Sequence, residues 1–428
     1  MLSAVHRRTA PVWGRLATRA CAAFLLALGG PSCTRDVGLL NMTDAGTTAD
    51  RPAVDQNVPS DAGAGGGGGS AATNSLCASG RVHFPDASGT CAGTLAARSH
   101  RYALCSCGDW SPGADVYTDA SSSNPAITAG PVPAAVGVNG KLAASADLSI
   151  RGSVYASGAA GISANGRLDV GKTLRSAGPV TVTAPGVATV VGDAFIGGDT
   201  MGSLRVSGTL HLAPSATMGL ATTAPTTTRE VVSVPDPCDC TAPFDVGAII
   251  AATATVNDNA AKGLDPNRLI TPGGSVSLDI GCGTYFLNSI DSAAPVNLNI
   301  HGRALLAIAG GVTLSGGMTI IFDPGAELDL LIGGAVTSYG PYPVGAYTAA
   351  ALRIWIAGAA PLTFNGHPVI GGIFEAPLSN VSAPSGMEVY GSILASSFAF
   401  GDLVLVHYDQ AVLSSGLPCG DPPLDPVP

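Results

Sequence analysis

A chain of 428 residues is long enough for one large domain or two medium ones. Only 12% of its residues are charged and 57 are glycine, which excludes helical classes with Glu-, Lys- and Arg-rich wet faces and suits a stacked β array with small-residue turns. A net charge of −10 without any Lys/Arg run excludes a nucleic-acid footprint.

The N-terminus reads as an export signal. His6, Arg7, Arg8, Arg15 and Arg19 form a basic region, and residues 20–30 form an apolar stretch too short to span a bilayer comfortably. The Gly-Pro-Ser-Cys that follows resembles a bacterial lipobox and makes Cys33 the expected lipidation site, with ordinary secretion as the alternative. Gly30 and Pro31 depart from the usual lipobox pattern. Residues 1–32 are then the signal peptide, and residues 33–75, rich in Gly, Ala and Asp, a disordered tether. The membrane enters as a partner only through the lipid, and the expected location is the outer membrane or cell surface.

Residues 76–133 form a cysteine-rich module in which Cys77, Cys91, Cys105 and Cys107 are interleaved with Phe84, Tyr102 and Trp110. Cys238, Cys240, Cys282 and Cys419 bring the exported chain to an even eight, and in an oxidising compartment these read as disulfides. Spacing leaves their connectivity open. The pairs Cys105/Cys107 and Cys238/Cys240 offer four thiolates to a tetrahedral zinc, but a one-residue spacing is tighter than zinc motifs use. No metal and no cofactor are expected.

A first strand array runs over residues 134–218. LSIRGSVYASG from Leu148, LDVGKTLRSAG from Leu168, ATVVGDAFIGG from Ala188 and LRVSGTLHLAP from Leu204 align with one another. Ile150, Val170, Val190 and Val206 share a column; Val154, Leu174, Ala194 and Leu210 share another. Alternation of period two marks strands, and its recurrence about every 20 residues marks a solenoid whose turns must stack to bury their apolar faces. Residues 219–269 are a Thr- and Pro-rich loop and one short helix. Val246, Ile249, Ile250, Thr253 and Val256 fall at helical spacing with Asp245 as N-cap, and the helix is expected to cover a sheet edge. Strands resume over residues 270–413. The uncharged stretch 304–322 alternates and contains Gly pairs, so it predicts buried strands rather than a membrane helix. Residues 414–428 form a Pro-rich tail.

Chemistry-bearing motifs are few. GRLDVGKT from Gly166 matches the phosphate-loop pattern, but strand and turn follow it where a helix is required, so no nucleotide is expected. Asn257, Asp258 and Asn259 read as a polar helix end before a calcium site. Glu327 and Asp329 lie on one strand face with Asp323 nearby, and a neighbouring rung can supply Arg303 or Arg353. Such carboxylates serve polysaccharide-cleaving β-helix enzymes; a solvated face is the plainer reading. His407, Tyr408 and Asp409 have no nucleophile beside them and read as a structural hydrogen-bonded cap. The apolar run before them predicts a final open edge covered by the tail, with Cys419 pinned to Cys282.

RYALCSC at Arg101, VGVNG at Val136, CDC at Cys238, NDN at Asn257, CGTYF at Cys282, HGR at His301 and HYD at His407 together resemble a group of exported myxobacterial-type proteins. The C-terminal half of that group is similar to a domain of unknown function found in bacterial surface and pilus-associated proteins. The repeats from Leu148 also resemble those of bactofilins, polymer-forming β-solenoids. The resemblance implies a cell-surface solenoid and no catalytic residues.

The fold class expected is therefore all-β: a right-handed β-solenoid (β-helix) with one short helix and a small disulfide-rich N-terminal module. The function expected is that of a non-enzymatic surface lipoprotein for adhesion, matrix contact or envelope structure, with surface glycan or matrix as partner. The alternatives are a polysaccharide-active lyase or hydrolase and a self-assembling coat protein.

Overall fold

The computed structural model describes residues 100–123, 134–241, 245–339, 343–345 and 349–414. Cys33, Cys77, Cys91 and Cys419, the signal, the tether and the tail lie outside the described residues.

The alternation read in the sequence becomes a three-sided parallel solenoid. One turn consists of the strands Leu142–Ala144, Leu148–Ile150 and Val154–Ala156, and the next of Ile162–Ala164, Arg167–Val170 and Leu174–Ser176. Each side pairs in parallel with the same side of the next turn. The two columns aligned in the sequence are true spatial registers, with Ile150 beside Val170, then Val190 and Val206, all buried. Because parallel strands bring equivalent residues together, one inward column of Val, Leu and Ile packs against itself from turn to turn. Gly137 shows how tight the outer surface is: a Cβ there would meet Cys105 Sγ at 2.9 Å and Cys238 Sγ at 3.2 Å.

The order of turns in space is not their order in sequence. Starting from the strand Leu104–Ser106, the chain stacks outward through Val136–Val138, Val154–Ala156 and onward to Thr226–Arg229. It then returns outside the stack and begins a second series at Val276–Ile280 and Gly283–Leu287. That series stacks back until Met387–Phe400 pairs with Leu104–Ser106 and Val404–Asp409 pairs with Val116–Ser121. The last described turn thus joins the first described turn, and the two series form one continuous stack.

Three expectations change accordingly. Residues 104–106 and 116–121, expected in a separate cysteine-rich module, are strands of the stack itself. Thr222–Thr223 and Thr226–Arg229, expected in a loop, extend the first series. The strand Val404–Asp409 is no open edge: it lies between Val116–Ser121 and Met387–Phe400, so the chain's own first turn covers its apolar run. The stretch expected to be strands rather than a membrane helix contains Arg303–Ile308, Val312–Leu314 and Met318–Phe322. No helix among the described residues is long and apolar enough to cross a membrane.

Candidate functional site

One outward column runs along the whole stack and organises what lies on it. Through the second series it reads Phe286, Ala307, Leu331, Trp355, Glu375 and Leu394. It crosses to Cys105, and the first series continues it as Gly137, Tyr155, Arg175, Phe195 and His211. The connection between the two series lies over this column.

The apolar part carries the helix Val246–Thr255. Asp245 caps it by accepting a hydrogen bond from the Ala248 amide at 2.9 Å. Val246, Ile249 and Ile250 pack on Phe286, Leu305, Ala307, Leu331 and Trp355. The helix therefore covers a sheet face rather than the expected edge. Its far end is pinned by polar contacts: the Asn259 side chain donates to the Phe286 carbonyl at 2.7 Å and accepts from the Phe286 amide at 3.0 Å, and Asp258 accepts from the Thr284 amide at 2.8 Å. Asn257, Asp258 and Asn259 thus anchor the helix end as the sequence suggested. No group of three or more His, Cys, Asp or Glu residues suited to a metal occurs among the described residues.

The remaining part carries an extended strap, residues 230–240. Glu230 meets His211 Nδ1 at 2.8 Å, Asp236 accepts from the Ser157 hydroxyl at 2.5 Å, and the Cys238 amide donates to Asn139 at 2.9 Å. Disulfides Cys105–Cys238 and Cys107–Cys240 clamp its end to the first strand of the stack. The two Cys-x-Cys pairs are therefore disulfides and not zinc ligands, because strap and strand lie side by side in register. Cys282 is also disulfide-bonded. Beneath the strap, Arg175, Phe195 and His211 stack on one another, with Arg175 Cζ 4.2 Å from the Phe195 centroid and the Phe195 and His211 rings 4.2 Å apart. Both ring faces of Phe195 are occupied by its neighbours, which leaves no aromatic platform for a ligand.

The carboxylate constellation foreseen around Glu327 and Asp329 is assembled, with Asp329 inside the protein and Glu327 half-buried at its margin. Arg353 stands beside Asp329 in the ladder and donates Nε to Oδ1 at 2.6 Å and Nη2 to Oδ2 at 3.0 Å. It also reaches Glu327 at 2.8 Å and the Ala350 carbonyl at 3.2 Å, while the Trp355 indole donates to Asp329 at 3.3 Å. Arg303 comes within 3.5 Å of Glu327. Asp329 is 0% and Arg353 1% exposed. Burial works against the guanidinium charge, but Asp329 and Glu327 outweigh it and hold the pKa above its ordinary range. A satisfied, bidentate ion pair closed to water locks rungs together; it has no open position for a glycosidic bond. Asp323 instead bonds His301 on the surface.

A buried serine–histidine–glutamate cluster, which sequence reasoning missed, spans the junction. His100 Nδ1 lies 3.2 Å from Ser392 Oγ and Nε2 lies 3.0 Å from Glu375, all three being buried. Its polarity is wrong for nucleophilic catalysis. The Ser392 hydroxyl donates to the Tyr102 carbonyl at 2.7 Å in the interior, whereas Glu375 lines the open cleft of about 390 Å³ beside Asp245, Trp355 and Leu378. Only spatial contact across 292 positions creates the cluster, so no local motif could announce it.

At the cap cluster, Tyr408 donates to the His100 carbonyl at 2.8 Å, and burial, helped by Asp409, pushes its phenol pKa up. Asp409 accepts from the Ser123 hydroxyl and amide and from the Ala411 amide. His407 bonds Asp119 at 2.7 Å. These residues form a hydrogen-bonded corner, at the meeting of first and last turns rather than at a free end. In the phosphate-loop match, Arg167–Val170 and Leu174–Ser176 are consecutive strands, so no helix N-terminus faces Lys172.

Fold and surface together define a parallel β-solenoid whose outer column is overlaid by a helix and a strap. Residues 241–414 match the family described as Domain of unknown function (DUF7305), which takes in the helix and the second series. No curated protein matches. Among solved structures, an ice binding protein from an Antarctic bacterium, Flavobacteriaceae, aligns at 14% identity over 74% of this chain and 98% of its own, with a TM-score of 0.17. That overlap carries no argument about this chain's function.

Proposed function

We propose that this chain is an exported surface protein whose uncovered solenoid sides contact extracellular glycan or matrix, and that it performs no catalysis. The carrying observation is the character of those sides. Thr313, Thr337, Thr363 and Ser382 lie in register on successive turns, each half-buried, and Ala143, Ser163 and Thr181 hold the equivalent outward positions in the first series. Short side chains on a stiff parallel scaffold give a flat, repetitive surface suited to a polymer with its own repeat. The carboxylate–arginine pair nearest to a glycosidase arrangement, Asp329 with Arg353, is spent inside.

The test is a glycan and whole-cell binding screen with the purified chain. Binding is expected, and Thr337→Tyr, which raises a bulky ring from the flat side, should weaken it at least tenfold with an unchanged melting midpoint. Release of new reducing ends or unsaturated sugars from a bound polysaccharide would refute the non-catalytic reading. Cys33→Ala should move the protein out of the membrane fraction.

A further inference from the structure

The junction between first and last turns carries a device that the binding role does not use. His407 sits in a ladder column between Tyr390 and Asp119. Its Nδ1 lies 2.7 Å from Asp119 of the first turn, and its Nε2 lies 3.3 Å from Glu388 of the preceding turn. Tyr390 stacks on the imidazole at 4.6 Å and donates its hydroxyl to Glu388 at 2.6 Å. Exposed Arg151 follows the strand Leu148–Ile150, which pairs with Val116–Ser121 on the next turn. The imidazole thus bridges three turns, two from the C-terminal end of the described chain and one from its beginning. The same pattern recurs at His301, held by Asp323 at 2.9 Å and Asp279 at 3.4 Å across three turns.

We propose that His407 is an acid-closed clasp that fastens the first described turn of the chain to the last described one. Protonated, the ring has two N–H donors, one for each carboxylate, and its charge separates two acids held in the turns on either side of it in an acidic protein. Neutral, it has one donor, and one of the carboxylates loses its bond. The hydrogen bond to Asp119 is the main reason the imidazole pKa is raised; burial opposes it, and the charges of Asp119 and Glu388 add to it. A raised folded-state value means that the stabilisation is complete below the unfolded value of about 6.5 and is lost as pH rises through the folded value. It also fades near pH 4, where carboxylates as a class take up protons. The clasp therefore closes in weak acid and slackens in mild alkali. His301, at 45% side-chain exposure, is the solvent-screened version of the same arrangement.

The experiment follows melting midpoint and backbone hydrogen exchange of the full chain between pH 5.5 and 8.5, with the His407 ring titrated by NMR. The wild type should melt about 2–4 °C higher at pH 5.5 than does His407→Gln, and the gap should close by pH 8.5. Exchange at residues 116–121 and 404–409 should quicken with pH in the wild type beyond the intrinsic rate. Glu388→Gln, which keeps the shape and removes one carboxylate charge, should reduce the pH dependence if His407→Gln fails to fold. A ring that titrates at or below about 6.5, or parallel pH profiles for wild type and both variants, would overturn the clasp.

Discussion

The two series of turns use one scaffold and finish it differently. In the first, strands of three or four residues carry Tyr155, Arg175, Phe195 and His211 outward, and an extended strap tied by disulfides lies over them. In the second, strands such as Arg303–Ile308 and Glu327–Ile332 carry Ala307, Leu331 and Trp355 at equivalent positions, and a capped helix buries them. The inward columns of both are chiefly Val, Leu, Ile and Ala. The difference shows that stacking dictates the inside, while whatever crosses the outside dictates the outward column. An extended segment covers little and needs covalent ties; a helix brings its own apolar stripe and needs an apolar floor.

The largest expected effect breaks the strap side. Replacing Cys105, Cys107, Cys238 and Cys240 together by Ser removes both disulfides, opens a loop with a sequence separation of 133 residues and should cost about 4–5 kcal/mol in the chain-entropy model. Removing either disulfide alone should cost far less, because the other still closes a loop of the same length. Denaturant titrations of the two double variants and the quadruple variant read this directly; the full loss from either double variant would mean that the clamp works by local packing. Arg353→Met breaks the helix side and should cost about 3–5 kcal/mol by stranding Asp329 in the interior. Adding Asp329→Leu should recover most of that loss, and a calorimetric comparison of single and double variants decides it. Asp245→Ala is the mildest at about 1 kcal/mol, since it removes one cap from a helix already held by packing and by Asn259. Its effect should show as faster exchange in residues 246–250 with the strap disulfides intact.

Much of the candidate chemistry was legible before its meaning was. The neighbours of Glu327 and Asp329 were rightly sought in Arg303 and Arg353, because solenoid turns bring such residues together. The burial of Asp329 and Arg353 was not legible, since a charged residue in an alternating strand reads as solvated unless something covers it. The N-cap at Asp245 and the helix stripe were legible because both are local. The cluster of His100, Ser392 and Glu375 was not, for its members carry no spacing signal.

The sequence by itself determined the strands, the inward columns, the helix and the even, disulfide-suited cysteine complement. These depend on side-chain alternation and on contacts between equivalent residues of adjacent turns, which a local repeat records. Tertiary structure alone decided that Leu104–Ser106 would accept Met387–Phe400 as its neighbour, that Val404–Asp409 would lie inside the stack, and which cysteines would meet. A parallel strand offers the same unpaired backbone groups to any incoming turn, so periodicity cannot say which turn arrives. That choice falls to the outside connection, whose strap and helix carry the chain past the finished series to begin again at the far end.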